Sequence, residues 1–230
     1  MFVFWTILRK TLAVGALMLA LTGGNSPIQA KADLTLRLPG LGLLQASLVT
    51  VETFDNKSAW EQYSNADGVE LGVENGVYRA YTMSPGYVWG LNQQQHRDVI
   101  LEVDVTPMTP NFQNGYGVMC RADSDGDGYY FMMNPDGYFS IQMGDRTGIH
   151  ALVDWKRSKA IKPDIDRNTI RAVCAGDYLA MYINNTFVAE VNDSTYTAGY
   201  TGLSVAAGDN SDVDAAFDNL AIYEIATPKP

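Results

Sequence analysis

Basic side chains are scarce in this chain. There are 16 against 26 acidic ones in 230 residues, a formal net charge of -10. Phosphate-backbone binding needs a basic face, so nucleic acid is excluded as a partner. The same charge repels anionic lipid headgroups and suits neutral ligands or cations. Only two histidines and two cysteines occur, and they do not cluster, which removes a zinc centre. His96 and His150 stand alone and read as surface or loop residues. There is no G-x-S-x-G elbow for Ser-His-Asp chemistry and no glycine-rich phosphate loop. Amphipathic helical stretches of normal length, internal repeats and low-complexity tracts are also missing, so a helical or α/β fold is not expected.

Long apolar runs are missing too, apart from one near the start. Arg9 and Lys10 precede TLAVGALMLAL, and Ala30-Lys31-Ala32 then offers small residues at the two positions a signal peptidase reads. Residues 1–32 are therefore read as a secretory signal peptide, cleaved after Ala32 or alternatively after Ala30. The rival is an uncleaved anchor, since FVFW also precedes Arg9. The unbroken run of about a dozen residues is shorter than the roughly 20 a spanning helix needs. No cysteine follows it, which excludes a lipoprotein anchor. The processed chain keeps 13 basic and 26 acidic side chains, a net charge of -13, and no integral membrane segment. Its expected location is secreted or cell-envelope, periplasmic or extracellular. Nothing in it sets an oligomeric state.

What the chain has in abundance is the grammar of short strands. Gly115 to Gln142, GYGVMCRADSDGDGYYFMMNPDGYFSIQ, reads as three strands joined by two tight turns, with Val, Tyr, Phe and Met in the runs and DSDGDG and NPDG in the gaps. Asn168 to Asn192 repeats the pattern. VELGV and VYRAY flank Glu74-Asn75-Gly76, a strong hairpin signal. In DVILEVDVT, Val99, Leu101, Val103 and Val105 share one face, and Ile100, Glu102, Asp104 and Thr106 the other. In DAAFDNLAIYEI the apolar parity switches between Phe217 and Leu220, which calls for a β-bulge at Asp218-Asn219. SAWEQYS, Ser58 to Ser64, is the single possible helical turn. Residues 33–50, broken by Pro39, Gly40 and Gly42, read as a connecting segment or as a first strand from Ser47 to Thr53. Residues 51–226 read as a single all-β, two-sheet antiparallel jelly-roll sandwich, and residues 227–230 as a frayed tail.

Cys120 and Cys174 are the whole thiol inventory. In an oxidising compartment an even count points to a bridge, worth roughly 3–4 kcal/mol for a loop of this length. The alternative is two buried, reduced cysteines packing as small hydrophobes.

These segments resemble concanavalin A-like lectin/glucanase domains. The resemblance is carried by FDNKSAW, DVILEVDV, GYGVMCRADSDGDGYYFMM, the run from Asn168 to Val205, and FDNLAIYEI. It is nearest the secreted bacterial branch related to 3-keto-disaccharide hydrolase domains and laminin G-like modules, and it covers about residues 50–225. It implies two packed antiparallel sheets, one of them curved with a groove on its concave side, and a cysteine pair on neighbouring strands. Laminarinase-type members carry E-x-D-x-x-E on one strand. Here Glu102 and Asp104 match the first half, about 7 Å apart on one strand face. Pro107 stands where the second acid belongs, so the two-carboxylate arrangement of a retaining glycosidase is incomplete.

Two places could hold calcium. Asp123, Asp125 and Asp127 fit D-x-D-x-D-G, but an EF-hand's twelfth position is Asn134 here, so the segment reads first as an acidic hairpin loop. The resemblance implies a second place, a structural calcium at Asp218 in FDN; the alternative is a carboxylate capping backbone amides beside the bulge. Sugar binding calls for aromatic faces with planar amides and charges nearby. Trp89 in YVWGLNQQQH, and Arg121, Tyr130 and Asp136 in the central hairpins, are the candidates, together with Glu102 and Asp104. Arg121 alternates with Cys120, so a core-facing Cys120 would turn Arg121 to the open surface. Trp155 begins the loop WKRSKAIK; Trp89 and Trp155 could equally be core residues. The expected function is recognition of a polysaccharide or envelope glycan without catalysis. The alternatives are a glycoside-active hydrolase of the 3-keto-disaccharide type and a structural cell-envelope module with no small ligand.

Overall fold

The computed structural model describes residues 33–56, 60–109, 111–209 and 211–226. The expected signal peptide and the tail at 227–230 lie outside the described residues. The described residues form strands and no helix. In chain order these are β1 (Leu34–Leu38), β2 (Gly42–Glu52), β3 (Tyr63–Ser64), β4 (Val69–Glu74), β5 (Val77–Thr82), β6 (Gly86–His96), β7 (Val99–Pro107) and β8 (Gly115–Ala122). They continue with β9 (Gly128–Met133), β10 (Tyr138–Asp145), β11 (Gly148–Arg157), β12 (Asn168–Ala175), β13 (Tyr178–Ile183), β14 (Thr186–Asn192), β15 (Gly199–Ala207) and β16 (Val213–Ile225).

All pairings are antiparallel, and they build two sheets. The larger runs β14-β13-β12-β7-β16-β5-β4-β3, with β2 also on β16 and β1 on β2. The smaller runs β11-β10-β9-β8-β15-β6. Alternation decides what lies between them. Val99, Leu101, Val103 and Val105 of β7 meet Tyr116, Val118 and Cys120 of β8 and Tyr129, Phe131 and Met133 of β9 in one core. The Asn75-Gly76 turn joins β4 to β5 as its sequence requires. Within the stretch read as a possible helical turn, the described residues 60–64 form no helix and include the two-residue strand β3, paired to β4.

Residues 34–52, expected as a connecting segment or a strand from Ser47, form the β1–β2 hairpin. It lies on the outer side of the larger sheet. Leu38, Leu44 and Ala46 pack there on Ile100, Val173, Tyr178, Ala180 and Tyr223. This second core explains why Ile100 is fully buried although it sits on the polar parity of β7. Pro39 and Gly40 belong to the turn of that hairpin, and Gly42 opens β2 opposite Leu38.

The bulge in the last strand is present. Asp218 faces Asp104 and Ala221 faces Glu102, so Asn219 and Leu220 on β16 stand against Val103 alone on β7, with Asn219 at φ 54°. β16 also changes partner there: residues 213–217 pair with β5 and residues 220–225 with β2.

Cys120 and Cys174 form a disulfide with their Cα atoms 6.9 Å apart. Their strands, β8 and β12, belong to opposite sheets, so the bond crosses the core. The neighbouring-strand pairing implied by the resemblance is corrected: the bridge is an inter-sheet one and ties the two layers covalently. Beside it β8 is bulged, with Met119 to Ala122 facing Gly202 to Tyr200, and Arg121 has φ 54°. The extra residue overturns simple alternation. Arg121 follows Cys120 inward and is 2% exposed, not on the open surface.

Candidate functional site

The most chemically specific hollow lies where the free edge of β6 meets β3 and β4. It has a volume of about 300 Å³ and is lined by Tyr87, Val88 and Trp89 of β6, Glu61, Tyr63, Val69 and Leu71, and Ser124 of the β8–β9 loop. Three aromatic rings, one carboxylate and one hydroxyl surround an aliphatic floor. That is the composition a sugar ring calls for, an apolar face to stack on and polar groups for its hydroxyls.

Local structure fixes each wall. The Tyr78 hydroxyl donates to the Glu61 carbonyl at 2.7 Å, and the Glu61 amide donates to the Leu91 carbonyl at 3.0 Å. The Leu91 amide returns a bond to Glu61 Oε2 at 3.3 Å. The Glu61 segment is thereby laid along β6. The Trp89 indole rests against Gly126, whose place no larger residue could take: an added Cβ would stand 2.5 Å from Trp89 Cζ2, and its φ is +87°. The Tyr87 ring meets Tyr130 edge-on at 5.5 Å, and its hydroxyl donates to Gln142 Oε1 at 2.8 Å. Tyr130, 1% exposed, donates to the Gly126 carbonyl at 2.6 Å. Burial pushes both phenols above the ordinary tyrosine range, with the Gln142 bond opposing at Tyr87 and the charges of Asp127 and Asp123 adding at Tyr130. Both stay neutral hydroxyls at physiological pH.

The Tyr87–Gln142 bond also reports curvature. β6 and β10 are separated by β15, β8 and β9, about 19 Å across a flat sheet. The two side chains can meet only if the sheet curls toward them. The concave face is filled at its centre: Met119, Met132, Ser140, Gln142 and Ser204 are at most 4% exposed. The groove implied by the resemblance is therefore closed there, and the open hollow lies at the β6 rim.

A larger hollow, about 560 Å³, adjoins it on the outer side of β3–β5. Its cation, Arg79, is bonded to Asp214 at 2.8–3.2 Å and to Glu70 at 3.0 Å, with Glu74 at 3.6 Å. Its polar groups satisfy one another and it offers only Tyr63 for stacking, so the smaller cleft is the better candidate.

The candidates named from the sequence divide. Trp89 is in the cleft, with Tyr130 beneath it as a support and not as a wall. Arg121 is a clamp elsewhere: its guanidinium donates to the carbonyls of Arg97 at 2.8 Å, Gly176 at 2.7 Å and Tyr196 at 2.9 Å, and to Asp98 at 3.1 Å. Glu102 and Asp104 project from the outer side of the larger sheet, away from the cleft. Arg171 Nε reaches Glu102 at 2.6 Å, and Asp104 accepts from Thr169 at 2.6 Å and Asn219 at 3.2 Å. Asp136 lines a separate hollow with Arg157 and Lys159. His96 is 5% exposed, 3.3 Å from Glu224, so it is a buried residue, not a surface one; His150 is exposed, 3.0 Å from Asp145. Trp155 is part of β11 and 41% exposed.

For calcium, the acidic loop turns its own oxygens inward. Asp123 Oδ1 accepts the amides of Asp125 at 2.9 Å and Asp127 at 3.1 Å. Asp218 Oδ1 accepts the amide of Asn219 at 2.6 Å, the amide-capping alternative. Among the described residues no three His, Cys, Asp or Glu side chains gather as a metal-binding group.

Tyr87, Tyr63, Glu61 and Ser124 were missed in the sequence. Tyr87 shares the outward parity of Trp89 and was within reach of the strand pattern. Tyr63 and Glu61 sat in the stretch read as a helical turn.

No protein-family model matches the chain, and no curated protein is similar to it in sequence. Its architecture is similar to several solved structures. The carbohydrate binding module CBM66 from Bacillus subtilis superposes with a TM-score of 0.59 at 18% identity, covering 75% of this chain and 98% of the module. A Bacillus licheniformis beta-glucanase gives 0.57 at 11% identity, covering 85% and 99%. The catalytic domain of an endo-1,3-beta-glucanase from Thermotoga petrophila gives 0.58 at 10%, covering 80% and 100%. The fold is the concanavalin A-like jelly roll.

Proposed function

We propose that this protein is an exported, non-catalytic glycan-binding protein, and that the glycan sits in the Tyr63–Tyr87–Trp89 cleft. The observation that carries the reading is the convergence of three aromatic rings, a carboxylate and a hydroxyl on one open hollow held by main-chain bonds. The structural similarity to a carbohydrate binding module supports it at the level of fold. The inter-sheet disulfide supports export, since such bonds persist in oxidising compartments.

Binding is favoured over hydrolysis by the acids. Glycoside cleavage uses two carboxylates flanking the bond. The cleft lining contributes one, Glu61, and it also accepts the Leu91 amide. Glu102 and Asp104, the broken half-signature, are bonded to Arg171, Thr169 and Asn219 on the far side.

A glycan array with the processed protein tests this. At least one neutral or charged oligosaccharide is expected to bind selectively. Trp89→Ala is expected to lower that affinity about tenfold or more, the usual loss at an aromatic hot spot. Release of reducing sugar from the same oligosaccharide would favour the hydrolase instead, and silence on every glycan would leave a structural module.

A further inference from the structure

Resting on that reading, we infer that the cleft is selective for glycans bearing a free amino group, and that Glu61 is the residue that sets this preference. Among the described residues the lining contains one charged side chain, Glu61, and no Lys, Arg or His. The carboxylate is exposed and, among the described residues, bonded on one oxygen, through a long 3.3 Å contact with the Leu91 amide. The other oxygen is open to a ligand cation.

The loop that supplies Ser124 deepens the same sign of charge. Ser124 lies between Asp123 and Asp125, both exposed. The field of this loop is felt by its neighbours: Asp127 is held above the ordinary carboxylate range by burial and then by Asp123 and Asp145, and Tyr196 is raised by burial and then by Asp127 and Asp145. Arg146 opposes this at Asp127 but does not line the cleft. A uronic acid or sulfated sugar entering here would meet only like charge and lose its hydration without gaining a partner. A protonated sugar amine finds the Glu61 carboxylate in the lining, acidic neighbours on either side of Ser124, and aromatic faces that attract cations.

The test compares two hexasaccharides that share backbone and linkage, one cationic and one neutral, with an acidic oligosaccharide as a control. Glucosamine hexamer, its fully N-acetylated neutral counterpart and a galacturonate oligomer would be titrated calorimetrically at about pH 5.5, where the sugar amine still holds its proton. The expected order is amine first, neutral second, acid last, with the amine about fivefold tighter than the neutral sugar at low salt, the scale of one partly exposed ion pair. The advantage should shrink at about 0.5 M salt. Glu61→Gln should bring the two affinities to within about twofold of each other. Because both affinities are measured in one protein, their ratio does not depend on how much of the variant is folded. Equal affinities in the parent chain, or a preference that survives Glu61→Gln, would overturn the inference while leaving glycan binding in place. Failure to bind any glycan would overturn the underlying reading.

Discussion

The indole of Trp89 and the backbone of Gly126 are in direct contact, two strands and a loop apart in sequence, and neither could be where it is without the other. The loop supplies Ser124 to the cleft and the Gly126 carbonyl to Tyr130, so this contact couples the acidic turn to the aromatic wall. Gly126→Ala adds a Cβ 2.5 Å from Trp89 Cζ2 at a φ of +87°. It is expected to cost about 1–3 kcal/mol of stability and to displace the indole. Urea unfolding and tryptophan emission measure both. Unchanged emission and unchanged glycan affinity would show that the contact does not shape the cleft.

Arg121 separates a structural role from a binding role cleanly. Arg121→Ala leaves three carbonyls and Asp98 without their donor in a buried place, and the expected loss is about 3–5 kcal/mol. The variant that still folds should bind glycan as the parent does. Loss of binding without loss of stability would return Arg121 to the ligand.

The disulfide closes 54 residues of sequence separation. The double variant Cys120→Ala, Cys174→Ala is expected to lose roughly 3–4 kcal/mol through the freedom returned to the unfolded chain. A chemical denaturation midpoint equal to that of the oxidised parent would contradict this.

Two carboxylates give opposite acid responses. Asp145 is lowered to about 2 by the Thr147 hydroxyl and amide and by His150. Its contribution is present above the unfolded value near 3.8 and fades as the pH falls from there towards 2. Asp218 is raised, by burial first, then by Asp104 and Asp55, against the Asn219 amide. Its charge therefore disfavours the folded state at neutral pH, and protonation relieves that cost. Asp218→Asn, which keeps an oxygen for the Asn219 amide, should raise the melting temperature at pH 7 in chelator by about 1–2 °C and lose that advantage in acid. A melting temperature that rises with calcium in the parent chain but not in Asp218→Asn would instead place a cation at this carboxylate.

Much of the architecture was legible because alternation is a local signal. The β7 pattern, the Asn75-Gly76 hairpin and, to within one residue, the bulge of the last strand all follow from residues adjacent in sequence. The β1–β2 hairpin was hidden because its core, against Tyr178 and Tyr223, is assembled from distant strands. Arg121 was misjudged because a bulge reverses parity and leaves no composition cue. The site was legible only through Trp89. Glu61 and Tyr63 reach the cleft because Tyr78 and Leu91 fasten their segment to β6, and no spacing in the chain announces that bond.

A crystal structure of the processed protein soaked with the oligosaccharide it binds best is the most direct test. Sugar rings are expected against Tyr63, Tyr87 and Trp89, with a polar group within hydrogen-bonding distance of Glu61. Sugar on any other face of the sandwich, with the cleft holding only water, would contradict glycan recognition at the β6 rim.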